Sequence, residues 1–288
     1  DNLMFIFKEL IEREDIPSGV YNVADDIPLS TNAVISILAE SQNRKPRIWN
    51  ISKSIIEHAA KFGRLVIQDL SGRMMPVNTY ASEMLRKLSK NDVYEEFDAD
   101  QIFLSMQESP MLWYNIPIIY LKLKKADSIR TIIGLDKEEK FATLSDFFSD
   151  KGEYKLAPYL DEAYKAQVPN GFQKEFKEAD QRVNLMYNTV EGKSLRIFPV
   201  PNDPNNKWYS PLNLSILEKD TSGIKKSIRY LAALDSASSN LKSFDKATEA
   251  LNVVKKFQYD IAKNVVPSPS IVNMEISYDK MGIFKNSY

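Results

Sequence analysis

The chain has 288 residues, of which 43% are hydrophobic and 27% are charged, a composition typical of a globular protein with a packed core and a hydrated surface. Lys and Arg number 38 and Asp and Glu number 39, so the net charge is −1 and gives no overall attraction to nucleic acid or to anionic lipid. The chain contains no cysteine, which excludes disulfide bonds, thiolate metal sites and a cysteine nucleophile.

The first sixty residues predict helices that alternate with short extended segments. The apolar residues of Leu3–Glu14 recur on one helical face, and Val20–Val23 predicts a short strand. Ser30 is a good N-cap for a second helix. Ser52–Phe62 predicts a third helix, which the following glycine ends.

The next segment changes character. Leu65–Gln68 predicts a strand, Ser71 and Gly72 a turn, and the residues from about Thr79 a helix. The most apolar run of the chain, Met111–Leu123, is shorter than the ~20 residues that a membrane span needs. This run therefore predicts a buried strand.

The second half of the chain predicts mainly helices. Helices are expected in residues 126–133, 158–167, 172–190, 224–234 and 241–265, and a strand in residues 194–200. The third of these helices carries the most regular apolar stripe, which indicates ordinary core packing. The sequence therefore predicts an α+β fold that is mainly α-helical, with a few short strands.

Three stretches near the N-terminus carry a resemblance to a known family. They read DNLMFIFKELIE, PSGVYNVADDIPLSTNAVISILAE and KPRIWNISK. Residues 1–56 resemble the C-terminal end of the NAD-dependent epimerase/dehydratase family, the extended short-chain dehydrogenases. The glycine-rich turn that places pyrophosphate on a helix N-terminus in that family is missing from this sequence, so the segment is not expected to perform hydride chemistry.

Other stretches carry a second resemblance, and the most characteristic of them is GRMMPVNTYA, residues 72–81. Further along, YKLAPYLDEAYKAQVPNGFQKEFKEADQRVNLMYN, LRIFPVPNDPNNKWYSP and SIVNMEISYDKMGIFKNSY follow in the same order as in the family. Residues 57–288 resemble the extracytoplasmic domain of the fused ResB/CcsA-type (System II) cytochrome c biogenesis proteins. The resemblance implies a parent protein that exports haem and attaches it to apocytochrome c.

The two resemblances predict two domains, an epimerase-like fragment in residues 1–56 and a cytochrome c synthase-like domain in residues 57–288. They imply that the chain is a non-catalytic, extracytoplasmic part of a membrane protein, joined to the membrane through spans outside this chain. Apocytochrome c and haem are the implied partners, and nucleic acid is not expected to be one. The alternative is an inactive epimerase fragment that is fused to an interaction domain.

No catalytic residue and no metal site are predicted in this chain. His58, its single histidine, is a candidate axial haem ligand because neutral imidazole binds iron. The alternative is a partly exposed structural histidine, which the absence of a second ligand favours. Asp25 and Asp26 form a possible acid–base pair, but their position in a turn favours solvated carboxylates.

Three further residues are candidates for binding a partner. Arg73 has a planar fork of donors that suits a carboxylate or a haem propionate, and an internal salt bridge is the alternative. Trp208 and Tyr209 lie in a segment rich in Pro and Asn. Aromatic side chains on a rigid loop are suited to binding a partner, but the same loop is equally suited to a buried, structural tryptophan.

Overall fold

The structure, a computed structural model, describes residues 53–210, 221–240 and 244–282. The chain divides into two units, Asp1–Asn50 and Ile51–Tyr288, and every described residue belongs to the second unit. The epimerase-like segment and the pair Asp25 and Asp26 lie outside the described residues. The division into domains at residues 56 and 57 stays a prediction, and its position falls inside the first described helix.

The elements up to Phe147 are short, and helices alternate with pairs of strands. They are α1 (Lys53–Phe62), β1 (Val66–Gln68), β2 (Met74–Pro76), α2 (Val77–Ser89), β3 (Val93–Tyr94), β4 (Phe97–Asp98), α3 (Ala99–Glu108), α4 (Pro110–Trp113), β5 (Ile119–Tyr120), α5 (Asp127–Ile133), β6 (Phe141–Ala142) and the 3₁₀ helix Ser145–Phe147. The helices predicted up to residue 62, from about residue 79 and in residues 126–133 are confirmed.

Longer helices dominate the rest of the chain. The elements are α6 (Ala157–Lys165), α7 (Gly171–Val190), β7 (Phe198–Pro199), β8 (Trp208–Tyr209), α8 (Thr221–Asn240), α9 (Asp245–Ile261) and α10 (Pro269–Met281). The strands within the described ranges form four antiparallel pairs, β1 with β2, β3 with β4, β5 with β6 and β7 with β8. The predicted fold class, α+β and mainly α-helical, is confirmed.

The helix α7 runs through the core and shows why the apolar stripe predicts a helix correctly. Its N-terminus is fixed by a capping box. The Asn170 side chain accepts from the Gln173 backbone N–H, and the Gln173 side chain accepts from the Asn170 backbone N–H. The predicted apolar positions from Phe176 to Val190 are buried, whereas Phe172, in the first turn, is half exposed. The helix packs against α2, α3 and α6, which places the main core around its inner face.

Two-stranded sheets leave backbone groups unpaired at their edges, and buried side chains take the place of the missing strands. The carboxamide of Gln258 on α9 donates to the carbonyls of Val66 (2.9 Å) and Ile197 (2.8 Å), and its Oε1 accepts from the N–H of Val66. The fully buried Arg130 on α5 donates to the carbonyls of Leu121 and Glu139 at 2.6 and 2.7 Å. These side chains join elements that no ladder connects.

The strand predicted for Met111–Leu123 is wrong over most of its length. Pro110 begins the short helix α4, because its fixed φ suits the first helical position, and Met111 is 74% exposed. Only Ile119–Tyr120 is extended and paired. The proline at position 117 interrupts the run, so apolar character alone does not define a strand here.

Two other predictions differ from the structure at the C-terminal side of the core. The strand predicted for residues 194–200 is reduced to Phe198–Pro199, because tight turns bring the N–H of Arg196 to the carbonyl of Ser194. The helix α10 was not predicted. Ser268 caps it and Pro269 begins it. Its apolar residues do not share one face, because Val272 and Ile276 pack in a small core whereas Met274 is 70% exposed.

Candidate functional site

A groove of about 810 Å³ lies between the turn after β1 and the loop that joins β7 to β8. Its lining residues are Gln68, Leu70, Ser71, Gly72, Met74, Arg196, Asn205, Asn206, Lys207, Trp208, Tyr209 and Val265. The volume is within the ~300–1,000 Å³ usual for ligand sites. The groove brings together the GRMMP turn and the FPVPNDPNNKWY loop, the two stretches that the sequence indicates as candidates for binding.

The buried side chain of Gln68 holds the two walls of this groove together. Its Oε1 accepts from the N–H of Trp208 at 2.7 Å, and its Nε2 donates to the carbonyl of Asn206 at 2.8 Å. Its backbone N–H donates to the carbonyl of Arg196 at 3.1 Å. A single residue of β1 therefore sets the position of the loop on the far wall.

The near wall is a tight turn organised by Asp69. Its Oδ1 accepts from Ser71 Oγ at 2.7 Å and from the N–H of Arg73 at 2.9 Å. Burial raises the pKa of Asp69, but these hydrogen bonds outweigh burial and hold the pKa below its usual value. Gly72 completes the turn with a φ of +94°, a conformation that glycine adopts without strain.

The far wall is preorganised in a similar way by Asp203. Its Oδ1 accepts from the N–H groups of Asn205 (2.9 Å) and Lys207 (3.2 Å). Asn202 and Asn206 have φ values of 58° and 48°, the left-handed region that asparagine tolerates better than most residues. Both walls are thus rigid turns whose backbone polar groups are satisfied.

Two cationic side chains line the groove, Arg196 and Lys207. The Nη2 atom of Arg196 is enclosed and has no hydrogen-bond partner among the described residues. Burial lowers the pKa of Arg196, whereas Asp69 and Tyr80 raise it by electrostatic attraction. The groove can therefore offer positive charge and guanidinium hydrogen bonds to a ligand.

Of the two candidate aromatic residues, Trp208 is buried in the fold and Tyr209 is partly buried. Trp208 is only 2% exposed and packs in a small core with Val66, Val266 and Val272. Tyr209 is partly buried against a stacked pair of phenylalanines from β7 and α9. Both residues line the groove, but the structure favours the buried, structural tryptophan over a freely exposed aromatic anchor.

Arg73 does not appear in the lining of the groove, because its side chain lies against α10. Its Nη2 is 2.6 Å from Glu275 Oε1, which is the internal salt bridge that the sequence left as the alternative. The same helix is held by Arg86, whose Nη2 is 2.8 Å from Asp279 Oδ1. These contacts fix α10 beside the groove, where it supports Trp208 from behind.

His58 is buried rather than partly exposed, so the expectation of an exposed structural histidine is wrong in this respect. It is 1% exposed, and its two ring nitrogens lie 3.0 Å from Thr248 Oγ1 and 3.1 Å from Tyr230 Oη. Burial, with a smaller effect of Lys61, lowers the pKa of His58 to about 4. Iron binding would require that one of the two hydrogen bonds be broken.

A buried carboxyl group lies away from the groove, at the N-terminus of α3. Asp100 accepts from Asn78 Nδ2 at 2.9 Å, while Asp100 Oδ1 and Asn78 Oδ1 have no partner among the described residues. Burial raises the pKa of Asp100 to about 7, although Asn78 counteracts the shift. Gly63 lies directly against this carboxyl group, and a Cβ there would be 2.3 Å from Oδ2.

Sequence reasoning missed the residues that build the groove, namely Gln68, Arg196, Asn206 and Lys207. Arg196 and Lys207 belong to the stretch LRIFPVPNDPNNKWYSP, in which they flank a segment rich in Pro and Asn. This pattern was the signal that could have indicated both residues. No signal in the sequence indicates the role of Gln68, because its partners Asn206 and Trp208 lie 138 and 140 residues away.

The chemical inventory of the described ranges is limited. Their His, Asp and Glu side chains do not come together in groups of three or more that could hold a metal ion. None of the helices in these ranges has the length and apolar content needed to cross a bilayer. The described ranges thus form a mainly helical α+β module with a groove that is lined by polar, cationic and apolar side chains.

A comparison with known proteins finds a similarity to a longer protein. The chain is 29% identical over 254 residues to the protein NrfI of Wolinella succinogenes, and the match covers 86% of this chain and 27% of that protein. The chain thus spans about a quarter of the relative's length. This comparison does not show the epimerase resemblance of residues 1–56. No protein-family model matches the chain.

Proposed function

We propose that this chain is a non-catalytic, extracytoplasmic part of a membrane protein of cytochrome c biogenesis, and that its groove docks a segment of apocytochrome c. Spans outside this chain would join it to the membrane. The observation that carries the proposal is the convergence on one groove of two stretches that carry the resemblance, GRMMPVNTYA and LRIFPVPNDPNNKWYSP.

The properties of the groove suit an extended polypeptide. The carboxamides of Asn205 and Asn206 line the groove and suit the polar groups of a peptide backbone. Leu70, which is 84% exposed, offers apolar contact. Both walls are rigid turns, so little conformational entropy is lost when a ligand binds. Such preorganisation is expected of a site that receives an unfolded chain.

Haem would be bound mainly by parts of the parent protein outside this chain. The chain has a single histidine, and a bis-histidine site needs two. The groove would instead shape the approach of apocytochrome c to haem. We therefore expect that haem added to this chain gives no six-coordinate bis-histidine spectrum.

The test is calorimetric titration of the full chain with a synthetic apocytochrome c peptide that contains reduced Cys-x-x-Cys-His. Leu70→Asp places a charge on the apolar entrance and should weaken binding at least about tenfold, the equivalent of about 1.4 kcal/mol. Leu112→Asp is the matched control, because Leu112 is also largely exposed but lies on α4 and not in the groove. Binding that Leu70→Asp leaves unchanged, or no binding at all, would contradict the proposal.

A further inference from the structure

The groove contains an arginine whose hydrogen-bonding capacity is not used. Arg196 lines the groove, and its Nη2 is enclosed without a partner among the described residues. A buried donor without an acceptor destabilises the fold, and it does so more strongly when the group is charged. Such an orphaned guanidinium in a cavity indicates that its acceptor is supplied by a ligand.

The acidic residues nearby are already engaged. Asp69 attracts Arg196 electrostatically, but the two do not form a salt bridge, and its carboxylate accepts from Ser71 and from the N–H of Arg73. Asp203 on the opposite wall caps its own loop in the same manner. Each carboxylate that flanks the groove therefore fixes a turn and leaves Arg196 unpaired.

The other lining residues define what the acceptor is attached to. Lys207 is exposed and adds a second positive charge. Apolar surface comes from Leu70, Met74 and Val265, which line the same groove. A ligand that satisfies all of these features has an anionic end and an apolar body.

We propose that Arg196 anchors a carboxylate that is carried on an apolar body, with Lys207 as the second cation at the groove. The proposal rests on the proposed function only in that both use the same groove. A guanidinium fork pairs with a carboxylate through two parallel, charge-assisted hydrogen bonds, which are roughly twice as strong as hydrogen bonds to a neutral acceptor.

Two matched pairs of ligands distinguish two sources of a carboxylate on an apolar body, namely haem and a peptide. Both pairs are titrated into the full chain. The first pair is haem and haem dimethyl ester, which differ only in the two carboxylates. The second pair is the peptides acetyl-Leu-Glu-Leu amide and acetyl-Leu-Gln-Leu amide. We expect at least about tenfold tighter binding of the acid in one of the two pairs, the size expected for a charge-assisted hydrogen bond.

Variants then assign the effect to Arg196. Arg196→Gln should abolish the preference for the acid, and Arg196→Lys should retain part of it, because lysine keeps the charge but not the fork. Lys246→Gln removes an exposed cation from the first turn of α9, at the opposite end of that helix from Val265, and should change nothing. Thermal melts establish that each variant is folded.

The outcomes separate the two proposals. Equal affinity for acid and neutral analogue in both pairs overturns the carboxylate anchor, as does a preference that persists in Arg196→Gln. The preference of the wild-type protein for the acid over its neutral analogue is measured without any variant. This result therefore holds even if a variant fails to fold. If the acids bind through Arg196 while the apocytochrome peptide does not bind, the carboxylate site stands and the docking function fails.

Discussion

Replacing Asp100 by asparagine tests how the buried carboxyl group limits stability at neutral pH. The pKa of Asp100 is raised from 3.8 to about 7, mainly by burial. In the unfolded chain the group ionises near its ordinary pKa, so between about pH 4 and pH 7 the folded state binds more protons than the unfolded state. The free energy of unfolding of the wild-type protein therefore contains a contribution that is present below pH 4 and is lost as the pH rises through 7.

The size of this loss follows from the shift. Each pKa unit corresponds to about 1.4 kcal/mol, so a shift of about three units corresponds to about 4 kcal/mol as an upper limit. Water penetration and relaxation around the carboxyl group reduce it, and about 2–4 kcal/mol is expected above pH 7. Asparagine has nearly the same shape and does not ionise, so Asp100→Asn should be free of this loss.

The measurement is urea unfolding of both proteins at intervals between pH 4 and pH 8. The difference in the free energy of unfolding, variant minus wild type, should rise across this range and level off near pH 7. Taking the difference cancels the opposite contribution of His58, whose lowered pKa costs stability as the pH falls through 6.5 toward 4. Asp136→Asn, at an exposed position on the turn after α5, is the control and should show no such slope. A difference that is constant with pH would refute the reasoning.

Three further changes test the packing around the site. His58→Ala should lower the free energy of unfolding by about 2–4 kcal/mol, since it opens a cavity and leaves two buried hydroxyl groups with one partner fewer; a loss below about 1 kcal/mol in urea unfolding would show that the histidine is dispensable. Gly63→Ala should cost more than about 2 kcal/mol because the new Cβ collides with Asp100, whereas Gly171→Ala, which meets nothing within 4 Å, should be nearly neutral in the same assay. Asp279→Asn should cost less than about 1 kcal/mol, because its salt bridge is partly exposed, and yet speed amide exchange in α10; unchanged exchange there would show that the ion pair does not hold this helix.

The helices that face the core were predictable, and those that do not were missed. In α7, residues such as Phe176, Val183 and Met186 repeat with the period of a helix because one face is buried. In α10 the residues that face the rest of the protein include Glu275 and Asp279, which pair with arginines. A charged inner face cannot be recognised from apolar periodicity.

The groove was only half predictable for a different reason. The sequence indicates Trp208 and Tyr209 as candidates because of their residue types, and the structure places both in the lining. The partners of Arg73 and Gln68 are 202 and 138 residues away in the chain. A pairing over such a distance leaves no local pattern, so one sequence cannot show which segment faces which.

The hydrogen bonds that join residues about 200 positions apart have a consequence for the order in which the protein folds. The carboxamide of Gln258 satisfies β1 across 192 residues, and Arg64 reaches Asn273 across 209 residues. Helical proteins fold quickly when their contacts are local, but contacts of this span must wait for loop closure. During synthesis this edge of β1 stays unpaired until α9 has left the ribosome, so α1 and β1 must remain soluble while the 192 residues that follow Val66, up to Gln258, are added.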